Sequence, residues 1–160
     1  MSQLTHEQVL TLLAAGPSRI DELTADLPPE QLRASQPDGG WSVVEVLAHL
    51  RSCADVWGNC IEVIIAQDEP TIRAINPTTW INGTNYREQA FGSSFQAFAR
   101  QRTDLLAVLE ALDPADWSRT ATITGAGRPL VRSVHAYAQW LATHERSHLK
   151  QIERIVKALR

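Results

Sequence analysis

The sequence has few of the features that mark membrane, secreted or nucleic-acid-binding proteins. No stretch approaches the roughly 18 uninterrupted apolar residues of a membrane span, and the first ten residues lack the basic flank and apolar core of a signal peptide. Charge is nearly balanced, with 15 basic and 18 acidic residues and a net charge of -3. We therefore expect a cytoplasmic protein that binds neither membranes nor nucleic acid.

Cysteine is also scarce, and its placement argues against a disulfide. The two cysteines, Cys53 and Cys60, are seven residues apart in a helical pattern. This spacing separates their Cα atoms by about 10 Å, which is too far for a disulfide. Free thiols fit a reducing cytoplasm. A chain of 160 residues can bury a core without disulfides, so we expect residues 1–160 to form a single domain.

Four helical segments follow from the spacing of the apolar residues, and no strand pattern of comparable length competes with them. Each segment begins at a polar residue able to cap it, and in the first three a glutamine or glutamate stands three positions later, as in a capping box. The predicted helices cover about residues 5–27, 42–67, 93–113 and 133 to nearly 160. The chain is therefore predicted to be all-α, with its helices packed as a bundle.

Two segments between the helices are less regular. Residues 68–92 contain two prolines, Trp80 and Tyr86, and connections of this length are usually functional or disordered. The aromatic residues favour an ordered cover that packs on the bundle. Residues 120–124 alternate threonine with apolar residues before Gly-Ala-Gly-Arg-Pro. Because a short strand here has little to pair with, we expect a loop.

The last predicted helix carries the sequence HERSH at residues 144–148. His144 and His148 fill a gap in a stripe of apolar residues that includes Leu141 and Ile152, so both imidazoles should face the interior at one level. Residues four apart on a helix are neighbours, and two adjacent imidazoles can bind one metal ion. Without a shared partner such as a metal ion, the ring nitrogens of two buried imidazoles are difficult to supply with hydrogen bonds.

The second predicted helix offers a third imidazole. His49 lies in line with the apolar residues Val46 and Val56, and should also face inward. Three histidines on two helices would supply three ligands and leave one or two positions for water or substrate, as in catalytic sites. A hydrogen-bonded core histidine is the alternative for His49 taken alone. His6 and His135 lie near helix starts, where we expect an exposed or incidental role.

The pattern HERSH also matches the HExxH motif of zinc proteases. Only twelve residues follow His148, and their one acidic residue, Glu153, lies on the same helix and cannot fold back to complete a site. We therefore favour the cross-helix site over a protease. Glu145 is a candidate catalytic residue, either as an acceptor for an imidazole N–H or as a proton acceptor near the open position. A place on the solvated rim of the bundle is its alternative.

Cys53 lies one helical turn beyond His49 on the same face, where its sulfur could reach the same ion. A buried structural cysteine is the simpler interpretation, because free cysteine is among the most buried residue types. Trp57, Trp117 and Trp140 could lie in the core, in a pocket or at an interface, and the core is the default expectation for each.

Two segments carry a resemblance to a known family. WSVVEVLAHL from residue 41 and LATHERSHLKQI from residue 141, separated by a long spacer, together resemble the DinB family, also called DinB/YfiT-like metalloenzymes. The specific features are the Trp-Ser that opens the helix, the glutamate three residues later, the His-Leu that follows, and the terminal HxxxH with its Gln-Ile. The segment GAGRPLVRSVHAY is similar to the family's approach to its last helix.

This resemblance implies a fold, a metal site and a chemistry. The implied fold is a four-helix bundle with a long crossover between helices 2 and 3, and the implied ligands are His49, His144 and His148, holding zinc or nickel. It also implies a homodimer, and a thiol-dependent transferase or isomerase that uses bacillithiol, mycothiol or glutathione with a small-molecule substrate. We expect Trp80 or Tyr86 to wall the substrate site. The alternatives are a metal-dependent hydrolase, a non-enzymatic metal-binding stress-response bundle, and a helical interaction protein without metal.

Overall fold

The computed structural model describes residues 2–160, and a bundle of four long helices is its main feature. The long helices are α1 (His6–Thr24), α3 (Val43–Ala66), α5 (Phe91–Glu110) and α7 (Val134–Leu159). The shorter elements are α2 (Pro29–Leu32), α4 (Pro77–Trp80), a 3-10 helix (Ile81–Gly83), α6 (Pro114–Trp117), and the strands β1 (Thr71–Arg73), β2 (Thr120–Thr124) and β3 (Leu130–Ser133). The predicted helical bundle with a long crossover is confirmed, with a small sheet added.

The predicted starts of α1, α3 and α7 are confirmed by their caps. At α3, the Ser42 hydroxyl accepts a hydrogen bond from the Glu45 backbone N–H, and the Glu45 carboxylate accepts one from the Ser42 backbone N–H. Thr5 forms the equivalent capping box at α1. Ser133 caps α7, its hydroxyl accepting from the N–H of Ala136. These caps satisfy donors that a helix N-terminus would otherwise leave unpaired.

The predicted start of the third long helix is wrong by three residues. The N-cap is Ala90, which has no side chain able to cap, rather than Ser93, and helix α5 begins at Phe91. The ring of Phe91 stacks near that of Phe95, with centroids 6.2 Å apart. This contact between residues four apart supports almost one additional turn before the predicted cap.

The prediction of a loop at residues 120–124 is also wrong. Strand β2 pairs antiparallel with β3 and parallel with β1, so that Thr122 lies opposite Val131 on one side and Thr71 on the other. No pairing partner for residues 120–124 is evident from the amino-acid pattern because β1 lies within the long connection, far from β2 in the sequence. The sheet therefore ties that connection to the segment that leads into α7.

The long connection packs on α3 as an ordered cover, as its aromatic residues predicted. Asp55 on α3 accepts hydrogen bonds from the Tyr86 hydroxyl at 2.5 Å and from the Trp80 indole N–H at 3.4 Å. The guanidinium of Arg51 lies 3.7 Å from the centroid of the Tyr86 ring. The buried Arg51 and the half-buried Asp55 on α3 thus hold the connection in place.

The core lies between the long helices, and α3 is its most buried element. Helix α7 packs against both α3 and α1, and α5 packs against α1 and α3. The largest side chains with almost no exposed surface include Phe98, Leu13, Ile20, Leu47 and Ile61. None of the described helices combines the length and apolar character needed to cross a membrane. The packing of α3 against α7 brings the predicted histidines together.

Candidate metal centre

Three imidazole rings meet where α3 packs against α7. The ring of His49 lies 5.1 Å from that of His144 and 4.7 Å from that of His148, and the latter two rings are 4.5 Å apart, measured between centroids. The Nε2 atoms of His49 and His144 are 3.0 Å apart. The structure therefore brings together the three histidines that the apolar stripes predicted to face one another, and their role as ligands stays a prediction.

The His148 ring is oriented by a neighbour on its own helix. Its Nδ1 atom lies 2.7 Å from the Oε1 atom of Gln151, and its ring stacks with that of Trp41 at a centroid distance of 6.4 Å. Because an amide oxygen only accepts hydrogen bonds, Nδ1 carries the proton in this contact. The lone pair of Nε2 is then available to an ion, in the arrangement usual for metal-binding histidines.

Cys53 faces the same point as the imidazoles. Its Sγ atom lies 3.6 Å from the Nε2 atom of His49 and 3.5 Å from that of His144. The three donor atoms are all within 4.8 Å of one another. Cys53 is buried, as expected for a structural cysteine, but its sulfur is directed at the imidazole cluster rather than only at apolar neighbours.

Burial and the neighbouring imidazoles lower the pKa values of His49 and His144. Burial lowers the pKa of His49 to about 4, and the nearby His148 and His144 add to this shift. Burial, with His148, also lowers the pKa of His144. Burial raises the pKa of the Cys53 thiol to about 12, and the Glu145 carboxylate contributes to the increase. At neutral pH His49 and His144 therefore have free lone pairs, which a metal ligand requires.

Glu145 lies inside the bundle, in an ion pair with Arg102 of α5. Arg102 Nη1 donates to Glu145 Oε1 at 2.7 Å, and Nη2 donates to Oε2 at 2.5 Å. The two side chains expose only 2% and 5% of their surface. Nη1 also donates to the carbonyl of Leu13 on α1, at 2.8 Å. The alternative placement of Glu145 on a solvated rim is therefore wrong.

Both oxygens of the glutamate of HERSH are thus engaged by Arg102, while the carboxylate is still near enough to Cys53 to raise the pKa of its thiol. Bidentate pairs of this kind are geometrically specific. Gly16 on α1 allows the close approach, because a Cβ at that position would collide with Glu145 Oε1. The predicted catalytic role of Glu145 stays a prediction, while the contacts of its carboxylate are those of a structural ion pair.

A cavity of about 650 Å³ opens beside the imidazoles, and its size is that of a small-molecule pocket. Its walls come from α3, α7, the long connection and the hairpin formed by β2 and β3. The lining residues are His49, Cys53, Val56, Trp57, Cys60, Ala74, Ile75, Asn76, Pro77, Thr78, Ile123, Gly125, Ala126, Leu130, Arg132, Tyr137, Trp140 and His144. Two of the three histidines thus face a space large enough for a substrate.

The walls of this cavity are mostly apolar and carry one cation. The guanidinium of Arg132 lies 4.9 Å from the centroid of the Trp140 ring, which in turn stacks on Trp57 at 4.3 Å. Among the described residues that line the cavity none is acidic. The arrangement suits a molecule with an apolar body and a negatively charged group.

One prediction about the aromatic residues is wrong and another stays a prediction. Trp80 and Tyr86, expected to wall the substrate site, do not line this cavity; both are hydrogen-bonded to Asp55, and Trp80 lines a neighbouring cavity. Trp140 is not a core residue, since it is 39% exposed and forms part of the cavity wall. Trp57 is buried as expected, but it also contributes to the wall.

The histidines outside the cluster form a separate group near the start of α1. The ring of His6 stacks on that of Trp117 with centroids 4.3 Å apart, and lies 5.1 Å from the ring of His135. His135 is buried, with 7% of its surface exposed, so an exposed position is wrong for this residue and the incidental role is the alternative that remains. Both imidazoles lie against the ring of Trp117, with centroid distances of 4.3 Å for His6 and 5.8 Å for His135.

Sequence reasoning missed Arg132 and most of the cavity wall. One signal was available for Trp140, which precedes His144 by four residues and therefore lies on the same face of α7. The signal for Arg132 was the alternation at residues 120–124, followed by two glycines that adopt positive φ, Gly125 and Gly127. Strands joined by such a turn form a hairpin, which places Arg132 opposite Ala121.

Comparisons with known proteins identify the family of this chain. Residues 12–152 match the model of the DinB superfamily. Two proteins named "Putative metal-dependent hydrolase", from Geobacillus thermodenitrificans (strain NG80-2) and Geobacillus kaustophilus (strain HTA426), are each 23% identical to this chain. The first match covers 85% of this chain and 75% of the relative, and the second covers 88% and 78%.

A solved structure shows the same fold. YfiT from Bacillus subtilis, described as "a probable metal-dependent hydrolase with an unusual four-helix bundle topology", superimposes with a TM-score of 0.82. The match covers 99% of this chain and 89% of that one, at 16% sequence identity. At this identity the likeness concerns the fold alone.

Removing the Glu145 carboxylate is expected to destabilise the bundle strongly. Glu145→Ala leaves the buried Arg102 guanidinium without its partner, a change that costs about 3–5 kcal/mol. Chemical denaturation would measure the loss, and Glu62→Ala, at an exposed position on α3, should change stability by less than about 0.5 kcal/mol. Combining Arg102→Met with Glu145→Leu should recover much of the loss. A Glu145→Ala protein as stable as the Glu62→Ala control would contradict this assignment.

The metal-free protein is expected to lose stability as the pH falls below 6.5. The folded state, in which burial and the neighbouring imidazoles lower the pKa of His49 to about 4, binds fewer protons than the unfolded state between pH 4 and pH 6.5. The free energy of unfolding should therefore decrease with falling pH, by about 2 kcal/mol between pH 6.5 and pH 5. Urea denaturation after treatment with a chelator measures this, and His49→Gln should reduce the slope. If the free energy of unfolding depends on pH equally in wild type and His49→Gln, His49 is not the cause of the pH dependence.

Proposed function

Because this chain belongs to the DinB superfamily, we propose that it is a metal-dependent enzyme acting on a small molecule held beside His49, His144 and His148. The observation that supports this most directly is the cavity of about 650 Å³ whose lining includes His49 and His144. A structural metal site is closed, whereas a catalytic one keeps a position open to substrate. The names of the two Geobacillus relatives also describe metal dependence.

The residues of the cluster fit a divalent transition metal. The Nε2 atoms of His49 and His144 face each other at 3.0 Å in a buried setting, where a cation between them would satisfy both lone pairs. Imidazole donors suit zinc or nickel better than magnesium or calcium, which prefer oxygen ligands. When bound, such an ion would lower the pKa of a thiol or a water molecule that reaches it.

Transfer of a small thiol to an electrophile is the chemistry that the cavity favours. Activation of water by general base catalysis needs a proton acceptor near the attacking oxygen, and none of the described lining residues is acidic. The Glu145 carboxylate is engaged by Arg102. Arg132 offers a positive charge to an anionic group of the thiol or the electrophile, while the rings of Trp57 and Trp140 offer apolar surface. Low-molecular-weight thiols are the substrates that the family resemblance implies.

A metal-dependent hydrolase is the second candidate, and the names of the relatives favour it. In that case a water molecule rather than a thiol would be the nucleophile, and the same three histidines would hold the ion. The cavity would then bind an apolar ester or amide with its anionic end near Arg132. A homodimer is part of both versions of the proposal.

Metal content tests the proposed site. Protein purified without chelator is expected to contain about one zinc or nickel ion per chain by elemental analysis. His49→Ala and His148→Ala should each lower the affinity for the metal by more than about tenfold. Replacing a residue that only hydrogen-bonds to a metal ligand already lowers metal affinity by about that factor. His6→Ala removes a histidine outside the cluster and should leave metal content unchanged. Circular dichroism confirms folding, and wild-type protein that stays metal-free after incubation with both metals would refute the site.

Calorimetry with small thiols separates the two candidate functions. One of the thiols bacillithiol, mycothiol and glutathione should bind the metal-loaded protein. The S-methyl derivative of that thiol should bind much more weakly, because it cannot form a thiolate. Arg132→Ala is expected to weaken binding by about tenfold through loss of a charged hydrogen bond. Arg128→Ala, at an exposed position of the hairpin turn, is the matched control. Equal binding of thiol and S-methyl derivative, combined with cleavage of small esters, would favour the hydrolase.

A further inference from the structure

We propose that the thiolate of Cys53 is itself a ligand of the metal ion, so that the site has nitrogen and sulfur donors rather than imidazoles alone. This inference rests on the proposed metal site. It starts from the position of Cys53 Sγ, which lies 3.6 Å from the Nε2 atom of His49 and 3.5 Å from that of His144. The sulfur is thus nearly equidistant from two nitrogens on different helices.

These distances are those of the edges of a coordination tetrahedron. With zinc bonded to nitrogen at about 2.05 Å and to sulfur at about 2.3 Å, a tetrahedral angle separates the two donors by about 3.6 Å. The same geometry separates two nitrogens by about 3.3 Å. The observed separation of 3.0 Å between the Nε2 atoms of His49 and His144 is a few tenths shorter. An ion would therefore fit between the three atoms with little movement of their side chains.

A network of hydrogen bonds is the alternative explanation for this arrangement. The Cys53 thiol can donate to one imidazole and accept from the other, and one Nε2–H can donate across the 3.0 Å between His49 and His144, with roles that depend on the tautomers. A cation between the three donor atoms would replace these hydrogen bonds, so metal binding distinguishes the two explanations.

The spacing of the donors along the helices supports the same conclusion. His49 and Cys53 are four residues apart on α3, as His144 and His148 are on α7, so each helix presents one pair of neighbouring donors. Helix bundles build metal sites from such pairs on facing helices. The His148 ring lies 4.7 Å from the ring of His49, but its nitrogens are not among the mutually close donor atoms, which belong to His49, Cys53 and His144. With all four donors bound, a substrate would add as a fifth ligand, as some zinc sites allow.

Cys60 shows that position on this face does not by itself make a thiol a ligand. It is also buried and also lines the cavity, seven residues after Cys53. Its thiol lies near Tyr137 and Arg132, and it is not a member of the group of mutually close donor atoms. The chain thus provides a matched control within the same cavity.

Ligation by Cys53 has two consequences that can be measured without any catalytic assay. The thiol must lose its proton when the ion binds, and that proton passes to the solvent, so metal binding releases one proton from Cys53. A thiolate donor also favours zinc over manganese or magnesium, which prefer oxygen ligands.

Cobalt substitution tests the inference. After removal of all added thiols, cobalt-loaded wild-type protein should show an intense sulfur-to-cobalt charge-transfer band in the near ultraviolet. The band should persist in Cys60→Ala and disappear in Cys53→Ala. Zinc binding to Cys53→Ala should release about one proton fewer than binding to wild type, measured in a weakly buffered solution with a pH indicator.

The possible outcomes separate this inference from the proposed function. Cobalt bound without the charge-transfer band would refute ligation by Cys53 and leave the three-histidine site intact. Failure of wild-type protein to bind cobalt or zinc at all would refute both. If Cys53→Ala does not fold, the wild type and Cys60→Ala still decide the question. The chain has only two cysteines, so a band that survives Cys60→Ala comes from Cys53.

Discussion

The buried ion pair between Arg102 and Glu145 determines the rotation of the last helix, and the candidate site depends on that rotation. Arg102 contacts the Leu13 carbonyl on α1 as well as the Glu145 carboxylate on α7, so one guanidinium joins three of the four long helices. Consecutive residues on a helix point about 100° apart. When Glu145 faces α1 and α5, His144 is turned towards α3. The two residues are adjacent in the sequence, yet they serve different interfaces.

Because of this ion pair, the glutamate of HERSH is placed differently from the glutamate of the similar protease motif. In a zinc protease, the glutamate of HExxH acts beside the ion. Here the glutamate carboxylate is held by Arg102, and α1 approaches it closely at Gly16. The motif therefore combines two clustered histidines, the candidate ligands, with a glutamate in a buried ion pair, and its letters alone do not distinguish these positions.

The features that the sequence predicted well are those encoded over one or two helical turns. The capping box of Ser42 and Glu45 and the inward stripe that contains His144 and His148 both depend on residues within four positions of each other. The sheet was missed because β1 and β2 are far apart in the chain and neither strand is long enough to be recognised without its partner. The partner of Glu145 was missed for the same reason, since no local pattern indicates which helix will supply a buried arginine.

The donor atoms and the cavity walls come from different parts of the structure. The donors lie on α3 and α7, whereas much of the wall comes from residues 74–78 of the connection and from the β2–β3 hairpin. Segments outside regular helices tolerate insertions and substitutions better than the core does. Evolution, or a protein engineer, can therefore remodel what the pocket accepts while the helices that carry the candidate site stay the same. Two members of this superfamily that share every donor residue need not share a substrate.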